Sequence, residues 1–232
     1  MRDVPSTDHL NDTAIHPEGD PAEYPEALIE HTPLREPDEL WVEETMAHFT
    51  LEEKIGQLLG SHRHHRGNEI VDELHLGGFV FLGNDQKAQE IVSTVNSLQR
   101  HSPQPLWFSI DTEAGMGSRV SEATVFPLMM AFGAADDEAL TEECGRIIGR
   151  EAVALGLHVV FGPAVDVNTE PANPGISTRS ASDDPGLVFR TARAFNRGVR
   201  SEGILTTLKH YPGQGASSGD SHYELPIIKA SR

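Results

Sequence analysis

Four short apolar runs punctuate the chain, at Gly78–Leu82, Leu106–Ile110, His158–Phe161 and Ile204–Leu208. Each is too short for a helix and is bounded by turn residues, so each predicts a buried strand. A further strand is expected at Leu58–Ser61. Between these runs the apolar positions recur at helical spacing. Ala88, Ile91, Val92, Val95 and Leu98 share one face of a first segment, and Leu140, Cys144, Ile147, Ile148 and Leu155 share one face of a second, which makes Cys144 a core residue. A third segment, opened by Asp183-Asp184-Pro185, turns Val188, Ala192, Phe195 and Val199 inward and leaves Arg190, Arg193, Arg197 and Arg200 on its surface. That arginine row reads better as a solvated helix face than as a phosphate grip. A leading helix is expected over Asp38–Leu59, with Thr50 and Glu53 forming a capping box for its second half.

Strands alternating with helices predict parallel βα units, and hence a doubly wound sheet or a (β/α)8 barrel of the TIM type. The strand ends favour the barrel. Asn84-Asp85, Asp111 with Glu113, Asp166 with Asn168, and Lys209-His210 follow successive strands, and a barrel site draws its groups from several strand ends at once. A doubly wound sheet concentrates them at one crevice. Strand spacing supplies about five βα units of the eight in a full barrel. The expected architecture is therefore a barrel domain over residues 38–232 that is C-terminally truncated, with open strand edges inviting self-association.

Charge separates the first quarter of the chain from the rest. The 232 residues hold 18 Lys and Arg against 36 Asp and Glu, for a formal net charge of −18. Fifteen of those acids, with only three basic residues, lie in residues 1–60. Residues 1–37, rich in Pro and acids and without apolar period, read as a disordered acidic arm. The overall balance excludes an electrostatic nucleic-acid binder, which needs basic stripes to displace counterions. No apolar run is long enough for a membrane span. No signal-peptide core follows Arg2, so a cytoplasmic address is the default. The single cysteine cannot form an intrachain disulfide.

The densest chemistry lies in Lys209–Pro226, where a cation, two histidines and a carboxylate share a glycine-rich loop. Asp220 stands two residues before His222, close enough to fix the tautomer of the imidazole and raise its proton affinity, as a general acid near neutral pH requires. The same spacing also fits a plain Asx turn with His222 on the surface. Gly213, Gly215 and Gly219 lack the following helix of a phosphate loop. Asp111 and Arg119 can grip a polyhydroxylated ligand, or pair with each other as a salt bridge. Arg179 is the one residue of its loop long and charged enough to reach inward. His62-Arg63-His64-His65-Arg66 is a poor metal site, because its arginines repel a divalent cation and no Cys or Asp completes the set.

Taken in order, TLEEKIGQLL (50–59), GGFVFLG (77–83), IDTEAGMGSR (110–119), FPLMMAFGA (126–134), FGPAVDVN (161–168), NPGISTRS (173–180), KHYPGQG (209–215) and DSHYELP (220–226) resemble glycoside hydrolase family 3. The Asp-Ser-His element is similar to the β-N-acetylglucosaminidase (β-N-acetylhexosaminidase) branch. That resemblance implies a retaining glycosidase acting on a carbohydrate substrate. It implies His222 as acid/base, Asp220 as its partner, and Asp111, Arg119, Arg179, Lys209 and His210 as sugar-binding residues, with no metal or organic cofactor. Two departures stand out. Tyr211 and Gln214 replace the Phe and His usual in this loop, and no residue of this chain matches the family's nucleophilic aspartate, which lies on a later strand. The isolated chain is accordingly expected to carry a half-site with little turnover. A non-catalytic sugar-binding module derived from the same barrel is the alternative.

Overall fold

The structure, a computed structural model, describes residues 36–62 and 67–228. The expected N-terminal arm up to residue 35, and Arg63 to Arg66 of the histidine-rich cluster, lie outside the described residues. Among the described residues no group of acidic, histidine and cysteine side chains is arranged to hold a metal ion, and no helix is long and apolar enough to cross a membrane.

Five parallel strands form one sheet: β1 (Gly60–His62), β2 (Gly78–Phe81), β3 (Trp107–Asp111), β4 (Val159–Ala164) and β5 (Leu205–Lys209). Their spatial order is β1-β2-β3-β4-β5, so each strand pairs with its sequence neighbour. A doubly wound sheet reverses direction at a switch point, whereas unreversed order is barrel winding. Helices fill the crossovers: α1 (Glu36–His48) and α2 (Leu51–Gln57) precede β1, and α3 (Gly67–Leu74) and α4 (Ala88–His101) follow β1 and β2. Next come α5 (Met129–Ala135) and α6 (Glu138–Ala154) before β4, and α7 (Pro185–Ser201) before β5.

The leading helix is broken where a single element over 38–59 was expected. Thr50 sits between α1 and α2 with extended backbone, φ −65° and ψ 170°, and its side chain accepts from the Glu53 N–H while Glu53 reaches back to Thr50 N–H at 2.7 Å. An N-cap needs that non-helical geometry, so the capping box itself ends the preceding helix.

Alternation along the strands separates two faces. Phe79, Phe81, Phe108, Ile110 and Val160 are fully buried toward the helices, in register with one another, and the Phe79 and Phe108 rings stack at 6.3 Å. Ile91, Val95 and Leu98 of α4, Cys144 and Ile148 of α6, and Val188, Phe195 and Val199 of α7 complete this core. The helix faces read from periodicity are those that pack, except that Leu140 is half exposed. On the opposite, inner face, Gly60, Gly78 and Trp107 stand in one row, and the indole occupies the space a Cβ at either glycine would need.

Helices α6 and α7 pack closely where Gly198 meets the Glu142 carbonyl, leaving no room for a Cβ. The arginine row of α7 is not simply solvated: Arg190 pairs with Asp136 at 3.3 Å, Arg193 with Glu138 at 2.9 Å, and Arg197 with Glu142 at 3.0 Å. These pairs stitch α7 to α6 and its leading turn, which leaves no phosphate grip.

Candidate active site

Period-two alternation sends Trp107, Ser109 and Asp111 of β3, and Leu205, Thr207 and Lys209 of β5, to the inner face. Asp111 and Lys209 therefore meet at the C-terminal mouth of the sheet, where the Lys209 ammonium pairs with the Asp111 carboxylate. Arg119, from the loop after β3, donates through Nη2 to Asp111 Oδ2 at 3.0 Å, through Nε to the Asp111 carbonyl at 2.6 Å, and through Nη1 to Asn84 beyond β2. Of the two readings of Asp111 and Arg119, the salt bridge is thus the one present, within a larger charged group.

A second carboxylate organises the other half. Glu113 accepts from Arg179 Nε at 2.9 Å and Nη2 at 2.6 Å, and pairs with Lys209 Nζ at 2.7 Å. Burial works against its charge, but the Arg179 and Lys209 hydrogen bonds outweigh that and hold the carboxyl below the usual carboxylate range. The Arg179 guanidinium is in turn held more firmly charged, chiefly by Glu113. Arg179 Nη1 donates to the Gly175 carbonyl at 2.8 Å, and Nη2 lies 3.2 Å from His210 Nε2.

His210 is oriented from below by Asp166 at the end of β4. The Asp166 residue is 2% exposed. Its Oδ2 lies 2.7 Å from His210 Nδ1 and accepts the His210 N–H at 3.1 Å, while Oδ1 accepts the Gln214 N–H at 2.6 Å. A guanidinium can only donate, so His210 Nε2 accepts and the ring proton faces Asp166. Desolvation pushes the Asp166 carboxyl up, but the bonds from His210 and Gln214 outweigh it and leave the carboxyl lowered. Asn173 is more than a turn residue: its Nδ2 donates to the Gln214 carbonyl at 2.6 Å and its Oδ1 accepts from Gly175 and Ile176 N–H. Because the ties at Gln214 use main-chain atoms, the unusual side chain there leaves them intact.

Asp220 and His222 occupy the last described loop. Asp220 Oδ1 accepts the His222 N–H at 2.9 Å and lies 2.7 Å from ring Nδ1. The two readings of this spacing coexist, since the Asx turn is also what places the ring. The His222 backbone N–H, then its ring, then the Arg179 charge hold the Asp220 carboxyl below its ordinary value. Asp220 lies against Gly175, whose Cβ position would be 3.6 Å from Oδ1. The His222 side chain is 74% exposed, with Nε2 free of any described partner.

Asp111, Arg119, Arg179, Lys209 and His210 are thus brought into one hydrogen-bonded group, with the Asp220–His222 pair on its rim. Glu113 and Asp166, marked in the sequence only as strand-end acids and given no role there, also belong to that group. The signal for Glu113 was its alternation with Asp111. Asp166 was visible only as a strand-end acid.

The sequence profile described as "Glycosyl hydrolase family 3 N terminal domain" matches residues 50–232. Beta-hexosaminidase A of Pseudoalteromonas piscicida is 35% identical over 176 residues, which are 71% of this chain and 29% of that protein. The beta-hexosaminidase of Xylella fastidiosa is 32% identical over 165 residues, 68% of this chain and 49% of its own length. Among solved structures, a glycoside hydrolase family 3 beta-N-acetylglucosaminidase from Paenibacillus sp. superposes with a TM-score of 0.73 at 35% identity, covering 77% of this chain and 36% of that one. The chain spans about a third to a half of the length of the curated relatives it matches. The singly wound parallel sheet and the profile over most of its length lead to one assignment: the chain belongs to glycosyl hydrolase family 3, through the barrel-type N-terminal domain of that family.

Proposed function

We propose that the chain carries the sugar-binding and acid/base part of a retaining glycosidase site that removes terminal β-linked N-acetylglucosamine (N-acetylhexosamine). The observation that carries this reading is the 2.7 Å contact between Asp220 Oδ1 and His222 Nδ1, which leaves Nε2 exposed and without a described partner. In this reading Nε2–H gives its proton to the glycosidic oxygen as the bond to the anomeric carbon breaks, and Asp220 stabilises the ring and its orientation. Asp111, Arg119 and Lys209 hold the hydroxyls of the terminal sugar, with Arg179 and His210 beside them. The relatives named as hexosaminidases support the N-acetylhexosamine preference.

The nucleophile belongs to none of the acids at the mouth. Asp111 and Glu113 are paired with Arg119, Arg179 and Lys209, and Asp166 is buried beneath His210. A carboxylate held this way is a poor attacker of an anomeric carbon. The chain is therefore expected to bind N-acetylglucosamine, seen by calorimetry, and to release little chromophore from an aryl β-N-acetylglucosaminide, with an aryl β-glucoside as control. Release that vanishes in His222→Ala would keep the dyad and overturn the exclusion of an internal nucleophile.

A sugar-binding module without catalysis is the second reading, favoured by the same saturation of the strand-end acids. Azide with an alkyl β-N-acetylglucosaminide separates the two. Azide attacks the anomeric carbon, the alkoxide leaves as the alcohol with a proton from His222, and a glycosyl azide forms. The catalytic reading predicts that product and its loss in His222→Ala. The binding-module reading predicts none from either protein.

A further inference from the structure

We infer that Glu113 is the positioning residue that sets the geometry of Arg179, Lys209 and, through Arg179, His210; the inference rests on the sugar-binding reading above. Glu113 stands in the loop after β3, Lys209 ends β5, and Arg179 closes the 3-10 turn Ser177–Arg179 after β4. Three separate elements therefore converge on one carboxylate. Its Oε1 accepts from both cations, Arg179 Nη2 at 2.6 Å and Lys209 Nζ at 2.7 Å. Those two cationic nitrogens consequently lie within about 5.3 Å of each other. In a partly desolvated mouth two like charges at that separation repel unless an anion sits between them. Glu113 is only 11% exposed and lies between them.

Most of the donors at Arg179 are already committed. Of its five guanidinium N–H groups, two go to Glu113, one to the Gly175 carbonyl and one to His210 Nε2. One is left for a ligand. Both ring nitrogens of His210 are engaged, Nδ1 by Asp166 and Nε2 by Arg179. The imidazole can meet a sugar hydroxyl only by releasing the guanidinium, so Arg179 and His210 are locked as a pair and Glu113 is the lock. The open contacts of this mouth include the spare N–H of Arg179, the two uncommitted N–H groups of Arg119, the third N–H of Lys209, and the lone pairs of Asp111.

Glu113→Gln keeps the shape, removes the charge and points an amide N–H toward a cation. Calorimetry with N-acetylglucosamine should show affinity falling about tenfold or more, the usual effect of losing a charge-assisted contact. Nuclear magnetic resonance supplies a second readout that needs no ligand. In the wild type the Arg179 Nε–H should be protected from exchange and the His210 Nε2 resonance should show a nitrogen accepting from a guanidinium; both signatures should be lost in Glu113→Gln and partly recovered in Glu113→Asp, while Asp166 keeps the proton on Nδ1 in all three proteins. A merely structural Glu113 would lower the melting temperature in both variants and leave these signatures and the affinity alone, which would overturn the inference. If the wild type binds no sugar, the sugar reading falls, and the Arg179 and His210 signatures alone decide for or against Glu113. Should Glu113→Gln fail to fold, Glu113→Asp carries the comparison: intermediate affinity supports the inference and wild-type affinity overturns it.

Discussion

Asp166 shows how one side chain makes the fold and the site interdependent. Three bonds from the 210–214 segment end on its two oxygens. Its carboxyl and that of Glu113 are held below their ordinary values in the folded chain. A depressed folded value contributes stability that is complete above the unfolded value, about 4 for these groups, and lost as pH falls through the folded one. Melting temperature should therefore hold steady at neutral pH and decline progressively once pH drops below about 4. A flat profile through that range would sink the argument. Asp166→Asn should cost about 2–3 kcal/mol at neutral pH, as expected for losing charge-assisted hydrogen bonds to a buried carboxylate, and its acid decline should be shallower. Chemical denaturation of the two proteins at several pH values measures both effects.

At the level of elements, local rules were legible wherever they were self-contained. The inward positions Val188, Ala192, Phe195 and Val199 of α7 are all buried, as their spacing implied. Strand positions were readable to within one to three residues, because short apolar runs bounded by turns admit few alternatives. Errors arose where the deciding partner was remote in sequence. Arg193 and Arg197 looked solvated because their acids, Glu138 and Glu142, lie on another helix. Glu113 looked incidental because Arg179 is 66 residues away. The break at Thr50 was the exception, since the capping box that forces it is local and was read without its consequence for the preceding helix. Two substitutions test these elements. Thr50→Ala should cost about 1 kcal/mol through loss of the cap. Gly198→Ala should cost about 1–3 kcal/mol by driving α7 off the Glu142 carbonyl, with the loss appearing in urea titrations as a lower midpoint at unchanged slope.

For the molecule as a whole, sequential strand order leaves β1 and β5 each with one described strand neighbour. Beside β5, Leu205 is 57% and Leu208 53% exposed, and Leu208 borders an apolar groove with Val165, Val188 and Phe189. A parallel edge strand with no described neighbour on one side, flanked by exposed apolar side chains, offers a surface for pairing with another chain. Sedimentation velocity should show weight-average mass rising with concentration, and Leu208→Lys should suppress that rise; a monomer at every concentration would argue against it. The inner row holds one more consequence. Trp107 lies across Gly60 and Gly78, four residues below Asp111 on the same face, or about 13 Å at strand rise. The other tryptophan, Trp41, is 52% exposed on α1. Replacing Trp41 with Phe would leave a single tryptophan, seated below the charged mouth. The chain thus carries its own optical gauge, whose emission colour and quenching report whether the floor of the barrel is dry and whether anything has settled above it.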